Sequence, residues 1–227
     1  MCGRFIQTTS AERLAAALQA TDTTDGALQP RFNVAPSTAI PAVIDAGGRR
    51  LGTLRWGFIP SWSRDPDSGP RPINARVEGA ATSRLFAPSL ARRRAVVPLD
   101  AWYEWTDEGG ARQPWLLRPT AGEPVTVAAL WSVWRPPDAP SDSVPLGTVA
   151  LMTTEAQGPA ATVHHRMPLI VPEALLDAWL DPAAQADATL LETLTAHPVD
   201  VELTRVSRRV NDVRNEGPEL LSADSGA

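Results

Sequence analysis

The middle of this chain is a succession of strand-length apolar runs separated by turns and polar loops, and this pattern restricts the fold more than any other feature. Strands are predicted at Ala39–Ile44, Leu51–Phe58, Ala95–Trp105, Gln113–Arg118, Val125–Trp134 and Gly147–Thr154. Helical patterns occur mainly near the two ends, so strands and helices do not alternate regularly. We therefore predict an α+β fold, a single domain with a curved, barrel-like, mostly antiparallel sheet and flanking helices, rather than a parallel doubly wound sheet.

The remaining segments surround this sheet. Ser10 can cap a short helix over Ala11–Ala20. Further helices are predicted around Gly79–Phe86 and at Pro172–Leu180 and Ala183–Ala196, with a last strand at Val201–Val206. Residues 21–30 and 60–72 are predicted loops, and the second is long enough to suggest a functional role. No linker divides the chain, so we expect one domain over residues 1–221 and a tail over 222–227.

Charge is distributed unevenly along the 227 residues. The net charge is -5, and all 21 basic residues are Arg. Residues 1–100 contain 13 Arg and 8 acidic residues, whereas residues 101–227 contain 8 Arg and 18 acidic residues. The overall charge argues against a generally basic nucleic-acid binder, but a local basic face can bind phosphates on an acidic protein.

Cys2 is the only cysteine, which excludes an intramolecular disulfide scaffold. No apolar run approaches the roughly 18 residues that a membrane-spanning helix needs. The N-terminus has no apolar signal region, so a cytoplasmic protein is expected.

Removal of Met1 would give Cys2 an α-amine and a thiol on adjacent carbons. The amine, with a pKa of about 7.7–8.0, is partly neutral at pH 7 and can condense with an aldehyde. The thiol can then close a five-membered thiazolidine ring. Because the chain has no Lys, its N-terminus is the only primary amine available for a Schiff base.

Three other motifs offer polar chemistry, although each is also compatible with an ordinary structural role. Asn74 lies among apolar residues and would share a strand face with Arg76. Glu104 lies within an aromatic run on a predicted strand, where apolar neighbours would raise its pKa and suit it to acid–base work. His164 and His165 are adjacent, and histidine transfers protons readily near pH 7. One Cys and a remote His197 make a zinc site improbable.

Taken together, the motifs resemble those of the SRAP (SOS response-associated peptidase) family of abasic site processing proteins. They extend in order along almost the whole chain: residues 1–5 (MCGRF), 31–36 (RFNVAP), 56–62 (WGFIPSW), 74–78 (NARVE), 83–84 (SR), 102–105 (WYEW), 164–168 (HHRMP) and 207–211 (SRRVN). Several separated motifs in the same order are much more specific than any one of them.

The resemblance implies that the protein binds single-stranded DNA containing an abasic site and traps its ring-opened aldehyde as a thiazolidine crosslink. Cys2 would be the nucleophile, Asn74 would hold the sugar hydroxyls or the crosslink, Glu104 would move protons at the amine, and His164 would assist ring opening. The implied DNA-binding residues are Arg4, Asn33, Pro36, Trp62, Arg76, Arg84 and Arg166, with Trp62 offering an exposed base-stacking face. The resemblance implies no cofactor, metal or membrane partner, and a monomer associated with the bacterial nucleoid.

Two other functions remain open at this level. An N-terminal-nucleophile cysteine peptidase or hydrolase would use the same Cys2 to attack an amide. With the abasic-site function, the resemblance also implies autoproteolytic removal of Met1 and an associated abasic-site lyase activity. A non-covalent single-strand-binding module would leave Cys2 without a role.

Overall fold

The computed structural model describes residues 2–67, 69, 71–140, 142–184, 186–197 and 199–223, so most of the predicted tail lies outside the described residues. These ranges contain thirteen strands, five α-helices and four short 3₁₀ helices. The strands are β1 Phe5–Gln7, β2 Thr21–Asp22, β3 Arg31–Val34, β4 Ala39–Asp45, β5 Arg49–Trp56, β6 Asn74–Arg76, β7 Arg94–Leu99, β8 Ala101–Glu108, β9 Ala111–Pro119, β10 Val125–Trp134, β11 Leu146–Glu155, β12 Arg166–Pro168 and β13 Val201–Arg205. The α-helices are α1 Ala11–Ala17, α2 Val77–Ala80, α3 Ala87–Arg92, α4 Leu176–Leu180 and α5 Ala188–Thr195.

Five strands close into a barrel in the order β11–β10–β7–β4–β5, with β5 pairing back onto β11. All pairs in this ring are antiparallel except β5 with β11. The predicted α+β fold with a barrel-like, mostly antiparallel sheet is therefore confirmed. Strands β2, β6 and β12 extend the barrel sheet at its margins.

Both faces of the barrel strands are buried, which explains why β10 has an almost continuous apolar sequence. Val127 and Ala129 face the core that also contains residues of the second sheet, such as Trp102. Ala128 and Leu130 face another core, which helices α1, α4 and α5 cover. Successive strand residues point to opposite faces, so a strand covered on both sides needs apolar side chains at every position. None of the helices in the described ranges is long and apolar enough to cross a membrane.

A second sheet, in the order β13–β9–β8–β1–β3, brings the N-terminal segment against β8. The predicted single strand Ala95–Trp105 is wrong at Asp100, where the chain leaves the barrel sheet as β7 and enters this second sheet as β8. Asp100 accepts hydrogen bonds from the backbone N–H and hydroxyl groups of both Thr8 and Thr9. These bonds tie the end of β1 to the point where the chain changes sheets.

Other element boundaries also differ from the sequence prediction. The helix predicted around Gly79–Phe86 is wrong, because a turn there separates α2 from α3. The helix after Ser10 begins as predicted, and the Ser10 hydroxyl accepts a hydrogen bond from Arg13 N–H at 3.3 Å, but it ends at Ala17. The predicted helix Ala183–Ala196 is shorter, since α5 begins only after the Asp187 cap. Residues 21–30 include the short parallel strand β2.

Candidate active site

Cys2 lies immediately before β1, in the core between the two sheets, and its side chain is fully buried. The pairing of β1 with β8 places Phe5 opposite Trp102, and Tyr103 N–H donates to the Arg4 carbonyl at 2.9 Å. The same pairing places Cys2 close enough to Glu104 for the two side chains to interact electrostatically. Burial raises the pKa of the Cys2 thiol, and the nearby Glu104 carboxylate raises it further. The thiol is therefore protonated at neutral pH.

Glu104 is 2% exposed, although it is a carboxylic acid. Strand alternation in β8 turns Trp102 and Glu104 toward Cys2, whereas Tyr103 and Trp105 belong to the core on the opposite face. Burial raises the pKa of Glu104 to about 7, and the positive charge of Arg112 opposes this increase. A carboxyl group with this pKa can both accept and return a proton near neutral pH.

Asn74 is positioned by β6, a short strand that pairs in parallel with β11. Its side-chain nitrogen donates a hydrogen bond to the Cys2 carbonyl at 3.0 Å. Its side-chain oxygen is buried and has no hydrogen-bond partner among the described residues. Because an unpaired buried acceptor is costly, this oxygen is available to a donor group of a bound molecule.

His164 lies between the 3₁₀ helix Gly158–Thr162 and β12. Its Nδ1 lies 2.9 Å from the Arg166 backbone nitrogen and 3.2 Å from the Arg166 carbonyl oxygen, so it can accept a hydrogen bond from the first or, when protonated, donate one to the second. The rings of His164 and His165 stack with a centroid distance of 4.3 Å. Burial lowers the pKa of His164, which keeps the ring neutral near pH 7.

A cavity of about 460 Å³ lies beside these groups, and Glu104 and His164 line it. Its lining consists of Gly3, Arg4, Glu104, Trp105, Arg112, His164 and Asn211. Cys2 lies just behind Gly3, and Asn74 contacts the Cys2 carbonyl. Four residues that are separated by up to 162 positions in the sequence, namely Cys2, Asn74, Glu104 and His164, therefore converge on one small region.

Two residues that the sequence predicted to contact DNA are buried inside the protein. Asn33 is fully buried, receives a hydrogen bond from Arg4 at 2.7 Å and donates to backbone carbonyls of residues 210–215. Arg166 is 9% exposed, donates to both carboxylate oxygens of Glu78 at 2.7 and 2.9 Å, and donates to the Thr153 carbonyl at 2.6 Å. These contacts give both side chains a role inside the protein, and their contact with DNA stays a prediction.

The other predicted DNA-binding residues lie nearer the surface. Arg76 and Arg84 are exposed, and Pro36 is half-buried in the turn between β3 and β4. Trp62 is 71% exposed. Among the described residues it is the only exposed Trp, as predicted from the sequence. The loop that carries Trp62 is held by a hydrogen bond of 2.7 Å from the Trp134 indole to the Ser63 carbonyl.

Besides Gly3, three residues that line the cavity were not predicted as site residues. Trp105 donates to the Asn211 side chain at 2.7 Å, and Asn211 donates to the Arg112 carbonyl at 3.0 Å. Trp105 and Asn211 fall within motifs that the resemblance included, whereas Arg112 follows a turn and carried no sequence signal. In the described ranges, no group of three or more His, Cys, Asp or Glu side chains is arranged to hold a metal ion.

The protein is therefore an α+β domain whose two sheets bring Cys2 beside a buried carboxyl group, with an amide in contact with its backbone. The model of the family described as SOS response associated peptidase (SRAP) matches residues 1–213, and the chain belongs to this family. The sequence-based identification is thereby confirmed.

Relatives and solved structures agree with this assignment. The chain is 34% identical over 203 residues to the abasic site processing protein YoaM of Bacillus subtilis, covering 88% of each chain. It is 32% identical to the abasic site processing protein YedK of Escherichia coli, covering 97% of this chain and 99% of YedK. A crystal structure of a Bacteroides thetaiotaomicron protein, 19% identical, superposes with a TM-score of 0.83 over 98% of this chain and all of that one, which supports the fold.

Proposed function

We propose that this protein processes abasic sites in single-stranded DNA by forming a covalent thiazolidine crosslink through Cys2. The observation that carries the proposal is the convergence of Cys2, Asn74, Glu104 and His164 on one region, where Glu104 and His164 also line a cavity. The relatives named as abasic site processing proteins support the same lesion as substrate. Met1 lies outside the described residues, and its removal is part of the proposal because the chemistry needs the Cys2 amine.

The first step joins the Cys2 amine to the aldehyde carbon of the ring-opened sugar. Nitrogen adds to the carbonyl, and loss of water gives an imine. His164 is neutral near pH 7, and with its ring proton on Nδ1, facing the Arg166 carbonyl, its Nε2 accepts the proton of the sugar hydroxyl and returns a proton to the ring oxygen as the C1–O bond breaks. Asn74 offers a buried oxygen to a sugar hydroxyl while its nitrogen holds the Cys2 carbonyl.

In the second step the Cys2 sulfur adds to the imine carbon and closes the five-membered ring. A carbon–sulfur bond forms, the C=N double bond becomes single, and the nitrogen gains the proton that the thiol loses. The raised pKa of the thiol means that this proton needs an acceptor. Glu104, with a pKa of about 7, accepts the proton from sulfur and returns it to nitrogen.

Exposed residues outside the cavity lining bind the rest of the DNA strand. Arg76 and Arg84 offer guanidinium groups to phosphates, and Trp62 offers a face for base stacking. Arg4 lines the cavity, and Asn33 and Arg166, which stay predicted DNA-binding residues, also position Arg4 and His164 through hydrogen bonds inside the protein. Stacking and phosphate contacts do not read base identity, so binding should be largely independent of sequence.

A denaturing gel with an abasic single-stranded oligonucleotide tests the proposal. The expected result is a slow-migrating band that survives denaturation and is absent with an intact oligonucleotide or with Cys2→Ala. A non-covalent binding module would give no such band. An N-terminal-nucleophile peptidase would cleave an amide substrate and leave the abasic oligonucleotide unmodified. Intact mass before and after the reaction shows whether Met1 is lost and whether the adduct has lost one water.

A further inference from the structure

The cavity beside Glu104 contains a cation that the chemistry above leaves without a role. The Arg112 guanidinium lies 5.1 Å from the centroid of the Trp105 ring, and the side chain is exposed. It makes no hydrogen bond to any residue in the ranges that the structure describes. Arg4 lies over the same ring at 5.8 Å, but one of its terminal nitrogens is bound to Asn33 and to the Val210 carbonyl. Arg112 therefore has donors available for a ligand.

The charges around Arg112 favour an anion. Its charge lowers the pKa of both Glu104 and Arg4, so all three groups are in electrostatic contact. Because the pKa of Glu104 is about 7, this carboxyl group is partly protonated near neutral pH and compensates only part of the two positive charges. Asp107, which lies opposite Arg112 in the β8–β9 pairing, accepts a hydrogen bond from the Gly110 N–H and does not line the cavity. The cavity lining, with two guanidinium groups and one partly neutral carboxyl group, is therefore positive. Packing over the Trp105 ring restricts the Arg112 guanidinium, whose N–H groups can form two hydrogen bonds to one phosphate.

We propose that Arg112 binds a backbone phosphate directly next to the abasic sugar, with Trp105 holding the guanidinium in place. This inference rests on the proposed function, because it places the reacting sugar in the cavity that Arg112 lines. A phosphate adjoining the trapped sugar must lie close to Glu104 and His164, and among the described lining residues Arg4 and Arg112 are the arginines that reach this space. The contact would hold the sugar in register with Cys2.

The experiment measures DNA binding without crosslinking. Proteins carrying Cys2→Ala, alone or with Arg112→Ala or Arg112→Gln, are titrated with a single strand that contains a tetrahydrofuran abasic analogue. The two linkages flanking the analogue are either phosphodiesters or, one at a time, uncharged methylphosphonates. Arg50→Ala in the same background is the matched control, because Arg50 is an exposed strand arginine that does not line the cavity. Thermal unfolding verifies that each variant is folded.

We expect Arg112→Ala and Arg112→Gln to weaken binding to the all-phosphodiester strand by about tenfold. One of the two methylphosphonates should weaken binding by the Cys2→Ala protein by a similar factor and have little further effect once Arg112 is replaced. Equal losses for all strands in both Arg112 variants would overturn the inference and indicate that Arg112 only supports Trp105. Unchanged binding would also overturn it. Failure of the proposed function is recognised separately, as the absence of a covalent band from the unmodified protein with a natural abasic strand.

Discussion

Arg166 and Glu78 form a two-point ion pair, with distances of 2.7 and 2.9 Å, and the backbone of the same Arg166 lies within hydrogen-bond distance of the His164 ring. The side chain of Arg166 binds Glu78 and Thr153, and its backbone N–H and carbonyl both face His164 Nδ1. Glu78 is half exposed, and its interaction with Arg166 lowers its pKa. The pair thus connects the NARVE motif to the His motif through contacts inside the protein.

Glu78→Gln should therefore slow crosslinking without weakening DNA binding. The substitution removes one charge of the ion pair, and a small displacement of His164 should lower the single-turnover rate about tenfold. The free energy of unfolding should fall by about 1 kcal/mol, because the half-exposed carboxylate is partly screened by water. Glu12→Gln, at an exposed position of α1, is the control. A changed dissociation constant with an unchanged rate in the bound complex would instead indicate that Arg166 contacts DNA.

Cys2→Ala should abolish the stable crosslink and retain some strand cleavage. The N-terminal α-amine of this variant still forms an imine with the sugar, but no sulfur closes the ring, so elimination can break the strand. A denaturing gel that resolves both the covalent band and the cleaved oligonucleotide measures the two outcomes together. A covalent band of undiminished intensity would contradict the thiazolidine chemistry.

Glu104→Gln should alter how stability depends on pH. The folded protein raises the pKa of Glu104 from its usual value of 4.5 to about 7, so folded Glu104 binds a proton more tightly than unfolded Glu104. The associated stability is fully present below pH 4.5 and is lost as the pH rises through 7, a decrease of about 3 kcal/mol. Glu104→Gln has no such carboxyl group, so its free energy of unfolding should decrease less between pH 5 and pH 8.

Chemical denaturation of both proteins at these two pH values measures the difference. The unmodified protein and Glu104→Gln should differ most at pH 8, where the variant should be the more stable of the two. The same variant should form the crosslink about 10²–10⁴-fold more slowly, because it has lost its proton acceptor. Parallel pH profiles for the two proteins would show that Glu104 keeps an ordinary pKa.

Arg76→Ala should weaken binding to all single-stranded sequences alike and reduce the salt dependence of binding. Each phosphate contact on a single strand contributes roughly 0.7 to the slope of log affinity against log salt. A salt titration in the Cys2→Ala background should therefore give a slope lower by roughly 0.7, with Arg50→Ala unchanged. Identical slopes for Arg76→Ala and its parent would assign Arg76 to the fold rather than to the DNA.

Trp62→Ala should weaken binding of a single strand whether or not it contains an abasic site. Stacking of one base on an aromatic side chain contributes about 1–3 kcal/mol. Because Trp62 is 71% exposed, DNA should quench its fluorescence, and Trp62→Ala should remove most of that change. Trp62→Phe keeps an aromatic face and should retain much of the affinity. Equal affinities for the protein and Trp62→Ala would exclude stacking on this residue.

The sequence alone determined the chemistry of the site residues and the class of the fold. Only Cys2 offers both a thiol and, after loss of Met1, an α-amine, and this is a property of composition and position. The strand pattern identified β4, β5 and β9 to β11 closely, because apolar side chains at strand spacing record burial locally. Alternation within β8 also predicted that Trp102 and Glu104 share a face.

Only the tertiary structure decided which side chains are in contact and which charged or polar side chains already have partners inside the protein. The break at Asp100 depends on Thr8 and Thr9, which lie more than 90 positions away. The sequence does not distinguish one arginine from another. In the structure, Arg166 is bound to Glu78 and Thr153, whereas Arg112 lines the cavity and has donors available for a ligand. The local sequence shows the spacing of apolar residues and the chemical type of each side chain. The pairing of distant strands decides how deeply Glu104 is buried and how far it lies from other charges, and these two factors set its pKa.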